Sequence, residues 1–307
     1  MSLLATLVGV LLIVTALRDI FQTLFHPSGK GSLSQALAYG VWKVTRPVAS
    51  RYPTALQLAG PFGFLATVAS WAVMLALGWA FIYWPHLPDG FSFDPGLDPS
   101  ENAGLIDALY FSIVSLATLG YGDIAPEAKW LRIVAPVQAL TGFGLLTASI
   151  TWLLSIFPAL SHRRALADEI LLLRNAESET GILLTSLDSA TVQQMLGELT
   201  TRLVTIRADL IKFPSAYYFQ GRDEQAELSV VMPYLLELVE KASDAACAPE
   251  VRVRATMLRG AIEEFSTTVA SRFLGLSPSA PPAEIMEAYA RDHLHLESSS
   301  IEDGKES

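Results

Sequence analysis

The sequence predicts an all-α membrane protein in which a helical domain follows the membrane part. Of its 307 residues, 51% are hydrophobic and 17% are charged, and the mean hydropathy is +0.38. Soluble domains carry about 25% charged residues. The charge is also uneven, because residues 1–160 carry 7 basic and 8 acidic residues whereas residues 161–307 carry 14 and 23. The apolar part therefore gives way near Ser161 to an acidic part that is compatible with water.

The composition excludes several classes of protein. A net charge of −10 argues against a nucleic-acid partner, because neutralising phosphates requires a basic surface. The single cysteine, Cys247, excludes an intrachain disulfide framework. The sequence contains no recognisable pairing of a nucleophile with a base, so we expect neither an enzyme nor a cofactor.

The first predicted element is an N-terminal membrane helix over residues 1–25. Ser2–Leu17 carries no charge, and further apolar residues extend one face to Phe25. A signal peptide is disfavoured, because it would need a basic start and no charged residue precedes Arg18. We expect a helix that either spans the membrane or lies half embedded in it, and the charge pattern does not choose between the two.

Residues 26–57 are predicted to form an amphipathic segment at the cytoplasmic face. Their basic residues are Lys30, Lys43, Arg46 and Arg51, and no acidic residue accompanies them. Short basic segments next to membrane spans face the cytoplasm. Apolar residues recur at helical spacing, as Leu33, Leu37, Val41, Val44 and Val48. The helix either lies at the inner membrane interface or packs on the other helices.

Two long apolar segments bound the next predicted domain, residues 58–160. Leu58–Trp84 carries no charge, and Leu131–Leu160 carries only Arg132. Each exceeds the length of about 20 residues that a membrane-spanning helix needs. Between them, Leu105–Ala117 is apolar but too short to span, which is typical of a re-entrant helix.

The charges around these segments predict their orientation. No basic residue lies between Tyr52 and Glu127, whereas Arg163 and Arg164 follow the second span. Basic flanks mark the cytoplasmic side. We therefore expect the loop between the spans to lie outside and the C-terminal half to lie in the cytoplasm.

The short apolar helix is followed by Thr118-Leu119-Gly120-Tyr121-Gly122-Asp123. Two glycines so close together would break a helix. Non-helical backbone at membrane depth is tolerated only where protein or water satisfies its polar groups. The motif resembles T-V-G-Y-G-D, the selectivity filter of potassium channels, and the resemblance extends from about Asp107 to Gly144.

The resemblance implies a tetrameric potassium channel pore built from an outer helix, a re-entrant pore helix, a filter and an inner helix. Backbone carbonyls of Thr118, Leu119, Gly120 and Tyr121 would bind K⁺, the permeant ion, and Asp123 would stand at the outer mouth. Carbonyls can share one axis only if residues alternate between left- and right-handed backbone, and Gly120 and Gly122 suit the left-handed positions. One filter per chain implies a homotetramer in membrane lipid.

Three departures from the family pattern concern this filter. Leu119 replaces the common valine, and losing β-branching leaves the degree of K⁺ over Na⁺ selectivity open. Phe111 and Val114 stand where relatives have a tryptophan and a glutamate. Since neither side chain can donate a hydrogen bond, we expect Asp123 to lack both of its usual partners.

A gate is predicted in the inner helix. Gly142 stands at the hinge position of the family, although a glycine there could instead permit close helix packing. An apolar row follows, made of Leu146, Ile150, Leu154 and Phe157, and it would gate by dewetting. A competing polar row is made of Thr147, Thr151 and Ser155. The resemblance places the apolar row toward the pore.

Residues 161–296 are predicted to form a cytoplasmic helical bundle, and residues 297–307 a disordered polar tail. His293 and His295 lie near Asp292, but residues two apart on a helix do not share a face, so we expect surface histidines and no metal site. The bundle could receive an unidentified cytoplasmic regulator. No Arg-rich voltage sensor and no glycine-rich nucleotide motif accompany it in the sequence.

The predicted function is passive K⁺ conduction by a multi-pass channel of the inner membrane. Two alternatives stay open. The departures at Leu119 and Asp123 would suit a poorly selective cation channel, and the large helical bundle would suit a membrane-anchored interaction protein with an inert pore.

Overall fold

The computed structural model describes residues 2–26, 31–49, 54–219 and 227–294. The predicted tail of residues 297–307 lies outside the described residues, as do Lys30, Arg51 and His295. Within the described ranges three helices are long and apolar enough to cross a membrane, and these are α1 (Ser2–Phe25), α3 (Thr54–Tyr83) and α5 (Leu131–Thr180). The predicted all-α membrane fold is confirmed.

The remaining elements are shorter. The other α-helices in chain order are α2 (Ser32–Ala49), α4 (Leu105–Leu116), α6 (Ser189–Lys212), α7 (Leu228–Ala242), α8 (Pro249–Val269) and α9 (Pro282–Leu294). Single turns of 3₁₀-helix occupy Trp84–His86, Leu184–Ser186 and Pro214–Tyr218, and a π-helical turn occupies Ala270–Leu274. Two strands, β1 (Phe91–Phe93) and β2 (Ile124–Pro126), pair antiparallel.

The chain divides into two compact units. The first comprises Met1–Val41 and Phe62–Ser155, and the second comprises Trp42–Pro61 and Ile156–Ser307. The boundaries fall inside helices α2, α3 and α5, so each of these helices contributes one part to each unit.

In the first unit, α1 packs antiparallel to α3. Gly9 and Gly78 meet closely, and a methyl group added to Gly78 would lie 2.9 Å from the Gly9 carbonyl oxygen. Further along, Asp19 of α1 accepts a hydrogen bond of 2.8 Å from the indole nitrogen of Trp71 in α3. Small residues permit this close approach of helices in a membrane.

Asp19 also fixes the start of α2. Its second carboxylate oxygen accepts a hydrogen bond of 3.0 Å from the backbone N–H of Leu33, one of the donors that the first helical turn leaves unpaired. On α2 itself Leu33, Leu37 and Val41 are half-buried, whereas Val44 and Val48 are exposed. The apolar row predicted for this helix is therefore covered only in part.

In the second unit, helices α6 to α9 pack around one apolar core. Its fully buried members include Leu196 and Leu203 of α6, Val231 and Leu235 of α7, Leu258 and Phe265 of α8, and Tyr289 of α9. The N-terminus of α6 is capped by Asp188, whose carboxylate accepts from the N–H groups of Ala190 and Thr191. The predicted helices of the C-terminal half therefore share a hydrophobic core.

An aromatic cluster joins three helices of the second unit. Trp42 of α2 contacts Tyr218 and His293, with ring centroids 5.5 Å apart in both pairs. Arg163 of α5 is buried beneath this cluster and donates to the carbonyl oxygens of Ala216, at 3.0 Å, and of Phe219. Our expectation of a surface histidine was wrong for His293, which is only 2% exposed because these rings cover it.

Candidate functional site

The pore-helix position is occupied by α4. The Asp107 carboxylate accepts a hydrogen bond of 2.9 Å from the backbone N–H of Gly104, which closes the first turn. The helix ends at Leu116, and hydrogen bonds from Thr118 N–H to Ser115 and from Leu119 N–H to Val114 tie the following segment to its last turn. The negative end of the helix dipole therefore lies beside Thr118.

Backbone handedness alternates along the filter motif. Thr118, Gly120 and Gly122 have positive φ angles of 58°, 57° and 83°, and the residues between them do not. The left-handed positions of the two glycines agree with the sequence, whereas the left-handed Thr118 was not expected. Among the residues that the structure describes, Thr118 is the one non-glycine with positive φ, which costs about 1–2 kcal/mol.

The motif is exposed on the single chain. Leu119 and Tyr121 are 54% and 67% exposed, and a methyl group added at Gly120 or Gly122 would meet no atom within 4 Å. Two large apolar side chains and a run of backbone carbonyls are thus left without protein around them. Apolar side chains can face hydrocarbon, but unpaired backbone carbonyls cannot, so a partner surface or water must cover the backbone of this motif.

Asp123 is hydrogen-bonded to residues of α4 and of the preceding loop. The Tyr110 hydroxyl donates a hydrogen bond of 2.6 Å to its carboxylate, and the Asp123 carbonyl accepts one of 2.8 Å from Asp94 N–H. Phe111 and Val114 donate no hydrogen bond to Asp123, as expected, but Tyr110 supplies a partner that was not expected. The tryptophan of relatives corresponds to Phe111, but here Tyr110, the residue before it on α4, reaches the carboxylate.

Phe111 and Val114 serve packing. Both are buried, and the Phe111 ring lies edge-on to Tyr83 and Phe91 at centroid distances of 5.0 and 5.1 Å. Phe91 opens β1, which pairs with β2 directly after Asp123. The two-stranded sheet and α4 therefore hold the end of the motif at Asp123 between them.

Gly142 on α5 lies against the end of α4. A Cβ atom at this position would overlap the carbonyl oxygen of Leu116, so only glycine fits without a shift of backbone. The sequence left two roles open for Gly142, a hinge or close helix packing, and this contact is an instance of close packing. Gly144, two residues further, faces open space.

The predicted gate row lies exposed on α5. Leu146, Ile150, Leu154 and Phe157 are all exposed on the single chain. In the competing polar row, Thr147 and Ser155 donate their hydroxyl hydrogens to carbonyls of their own helix, at 3.0 and 2.7 Å. Because these hydroxyls already have partners, they need no bonds to another helix.

The residues that the structure describes include no group of three or more His, Cys, Asp and Glu side chains that could hold a metal ion. The oxygen-rich segment is instead the backbone of the filter motif. Backbone carbonyls are the groups that replace the hydration shell of K⁺ in potassium channel filters.

Comparison with known proteins places the site in a family context. Residues 65–157 match the family model described as "Ion channel". An uncharacterized membrane protein of Bacillus subtilis, YdjJ, is 24% identical over 283 residues, which cover 89% of this chain and 80% of the relative. The family match therefore covers α4, the filter motif and the apolar row of α5.

Plant proteins match around the pore segment. Two-pore potassium channel 5 of Arabidopsis thaliana is 54% identical over 46 residues, and two-pore potassium channel 2 is 34% identical over 93. The matches cover 15% and 29% of this chain but only 11% and 19% of those relatives. No solved structure matches the chain. These similarities indicate a channel rather than an enzyme, and an ion channel of this kind uses no cofactor.

Proposed function

We propose that this chain, whose residues 65–157 form a pore domain of the potassium channel pore family, is one subunit of a homotetrameric, K⁺-selective channel. One observation carries the proposal, the alternation of positive φ at Thr118, Gly120 and Gly122. In an alternating backbone successive carbonyls can turn toward one axis, and K⁺ exchanges its water for them. Transport is passive.

The exposed filter supports a tetramer. A ring of carbonyls needs several identical strands around one axis, and a closed cyclic assembly supplies them. Leu119 and Tyr121 are then the side chains that neighbouring subunits cover. K⁺ binds at Thr118, Leu119, Gly120 and Tyr121, and Asp123 stands at the outer mouth.

The orientation rests on charge and helix direction. Basic residues flank α2 and follow the apolar part of α5, so residues 26–57 and 161–296 lie in the cytoplasm of a cell whose inner membrane holds the channel. Since α1 runs antiparallel to α3 along its length, it spans beside α3 and its N-terminus lies outside.

The gate is the apolar row of Leu146, Ile150, Leu154 and Phe157. In a tetramer this row forms a constriction that closes the pore by excluding water. Gly142 allows the inner helix to bend above that row, in addition to its packing role. The helical bundle that follows is the part of the chain on which an unidentified cytoplasmic regulator acts.

Ion flux into liposomes containing the purified protein tests the function. We expect K⁺ flux, and a bi-ionic K⁺/Na⁺ reversal potential that favours K⁺. Gly120→Ala should abolish this preference, because alanine disfavours positive φ by about 1–2 kcal/mol in each subunit although its methyl group meets no atom in the chain. Gly96→Ala is the matched control, since Gly96 also faces open space but has no positive φ.

The alternatives give different results. A reversal potential near zero would indicate a poorly selective cation channel. A tetramer, established by native mass spectrometry, that passes no ion under any stimulus would indicate an interaction protein with an inert pore. A monomer in the bilayer would contradict the carbonyl ring itself.

A further inference from the structure

A buried chain of hydrogen bonds crosses the three helices behind the filter. Gln138 of α5 is fully buried, and so are Ser112 of α4 and Tyr83 of α3. The Tyr83 hydroxyl donates to the Gln138 side-chain oxygen at 2.8 Å. The Gln138 amide nitrogen donates at 2.8 Å both to the Ser112 hydroxyl oxygen and to the Ser112 carbonyl oxygen.

This network of hydrogen bonds ends on α3. The Ser112 hydroxyl donates at 2.7 Å to the carbonyl oxygen of Ala76 in α3. The two hydroxyl groups and the amide of this network therefore each donate to an acceptor on another helix. None of the three needs lipid or water as a hydrogen-bond partner. In an apolar surrounding, an unpaired group of this type is costly, so the three helices keep a fixed register.

This network and Gly142 hold the same end of α4. Gln138 and Gly142 are one turn apart on α5, and their contacts on α4, Ser112 and Leu116, are also one turn apart. Leu116 is the last residue of α4, two residues before Thr118. Any rotation or sliding of α4 that moved the filter backbone would break the bonds of Gln138 first.

We propose that Gln138 is a positioning residue for the filter, which acts through Ser112 and holds the end of α4 so that Thr118 keeps its left-handed backbone. This inference rests on the proposed channel function. Its consequence is that ion selectivity, and not only folding, depends on an amide about two helical turns away from the carbonyls.

The test measures the K⁺/Na⁺ permeability ratio of reconstituted channels. Gln138→Leu keeps the volume but removes both the donor and the acceptor, and we expect the ratio to fall about tenfold, the equivalent of roughly 1.4 kcal/mol. Tyr83→Phe removes a single hydroxyl and should lower the ratio less, which keeps the test informative if Gln138→Leu does not assemble.

Gln138→Glu gives a readout that packing alone would not move. A protonated glutamic acid can donate to Ser112 and accept from Tyr83, whereas the carboxylate can only accept. The ratio of this variant should therefore approach the wild-type value at low pH and fall as pH rises. The ratio of the wild-type channel should not follow this pH profile.

Thr67→Val is the matched control. Thr67 is also fully buried in α3, but its hydroxyl donates at 2.8 Å to the carbonyl oxygen of Gly63 in the same helix. Removing this hydroxyl therefore breaks no hydrogen bond between helices. Conducting Gln138→Leu and Tyr83→Phe channels with an unchanged ratio, or a pH-independent Gln138→Glu channel, would overturn the inference alone. A wild-type protein that does not conduct would overturn the channel function and the inference with it.

Discussion

Tyr110 and Asp123 form the shortest side-chain link at the outer end of the filter motif, 2.6 Å between phenol and carboxylate oxygens. Hydrogen bonds to a charged acceptor are stronger than those between neutral groups. In the proposed tetramer, we predict that Tyr110→Phe leaves the assembly folded but destabilises the segment around Asp123. Patch-clamp recording should detect the change as a faster decay of K⁺ current.

Tyr39→Phe is the control for this prediction, because Tyr39 lies exposed on α2, away from the filter motif. Its current should decay as in the wild-type protein. Equal decay in Tyr110→Phe and wild type would mean that the Tyr110 bond does not stabilise the mouth.

Single residues differ in how far the sequence determines them. Gly120 and Gly122 were predictable because only glycine adopts positive φ without a Cβ clash. The partner of Asp123 was not, since adjacent residues on a helix point about 100° apart and one residue decides between Tyr110 and Phe111. The positive φ of Thr118 has no sequence signal, because threonine carries that strain only when its surroundings impose it.

At the scale of elements, Gly142 joins α5 to the end of α4. We predict that Gly142→Ala destabilises the protein by at least about 1–3 kcal/mol, because the added methyl group overlaps a backbone oxygen that cannot move aside. Thermal unfolding in detergent measures this loss. Gly144→Ala adds the same methyl group into open space two residues away, and should leave the melting temperature unchanged or slightly raised. Equal melting temperatures for the two variants would contradict the close contact.

Trp42 anchors the C-terminal part of α2 within the second unit. It is buried among Tyr217, Tyr218 and His293, so Trp42→Ala should cost about 3–5 kcal/mol in the unfolding of that unit. Limited proteolysis should then cut the second unit faster. Tyr39→Ala, an exposed aromatic of the same helix, should not change the rate, and an unchanged rate for Trp42→Ala would contradict its role as an anchor.

Long elements were easier to predict than short ones. Helix α3 and the first part of α5 follow from long apolar sequence. The pairing of β1 with β2 was not foreseen, because strands of three residues carry no usable alternation. The burial of His293 was missed for another reason, since its neighbours come from α2 and from the turn at Tyr217, far away in sequence.

At the scale of the whole molecule, stability should depend on pH through His293. Burial among aromatic rings, together with the positive Arg163, holds the pKa of His293 well below its usual value of 6.5. The folded protein therefore excludes a proton that the unfolded chain accepts. Stability should be full above about pH 6.5 and fall by up to about 1.4 kcal/mol per pH unit below it.

Thermal melts between about pH 8 and 5 measure this slope. His293→Phe should flatten it, because phenylalanine fits an aromatic cluster and takes up no proton. His162→Gln is the control, since His162 is half exposed and pairs with Asp209 at 2.8 Å, and its slope should stay steep. A wild-type melting temperature that does not fall with acid would contradict the burial of a neutral imidazole.

Gly142 of α5 packs directly against the backbone of Leu116, so no space separates α5 from the end of α4 that precedes the filter motif. If the inner helix tilts at Gly142, the last carbonyl of α4 must travel with it. Such a linkage is reciprocal, because whatever couples one conformational equilibrium to a second couples the second to the first with equal free energy. In the proposed channel, the ions bound in the filter would then influence how long the gate row on α5 stays open. Ion conduction would thereby regulate gating.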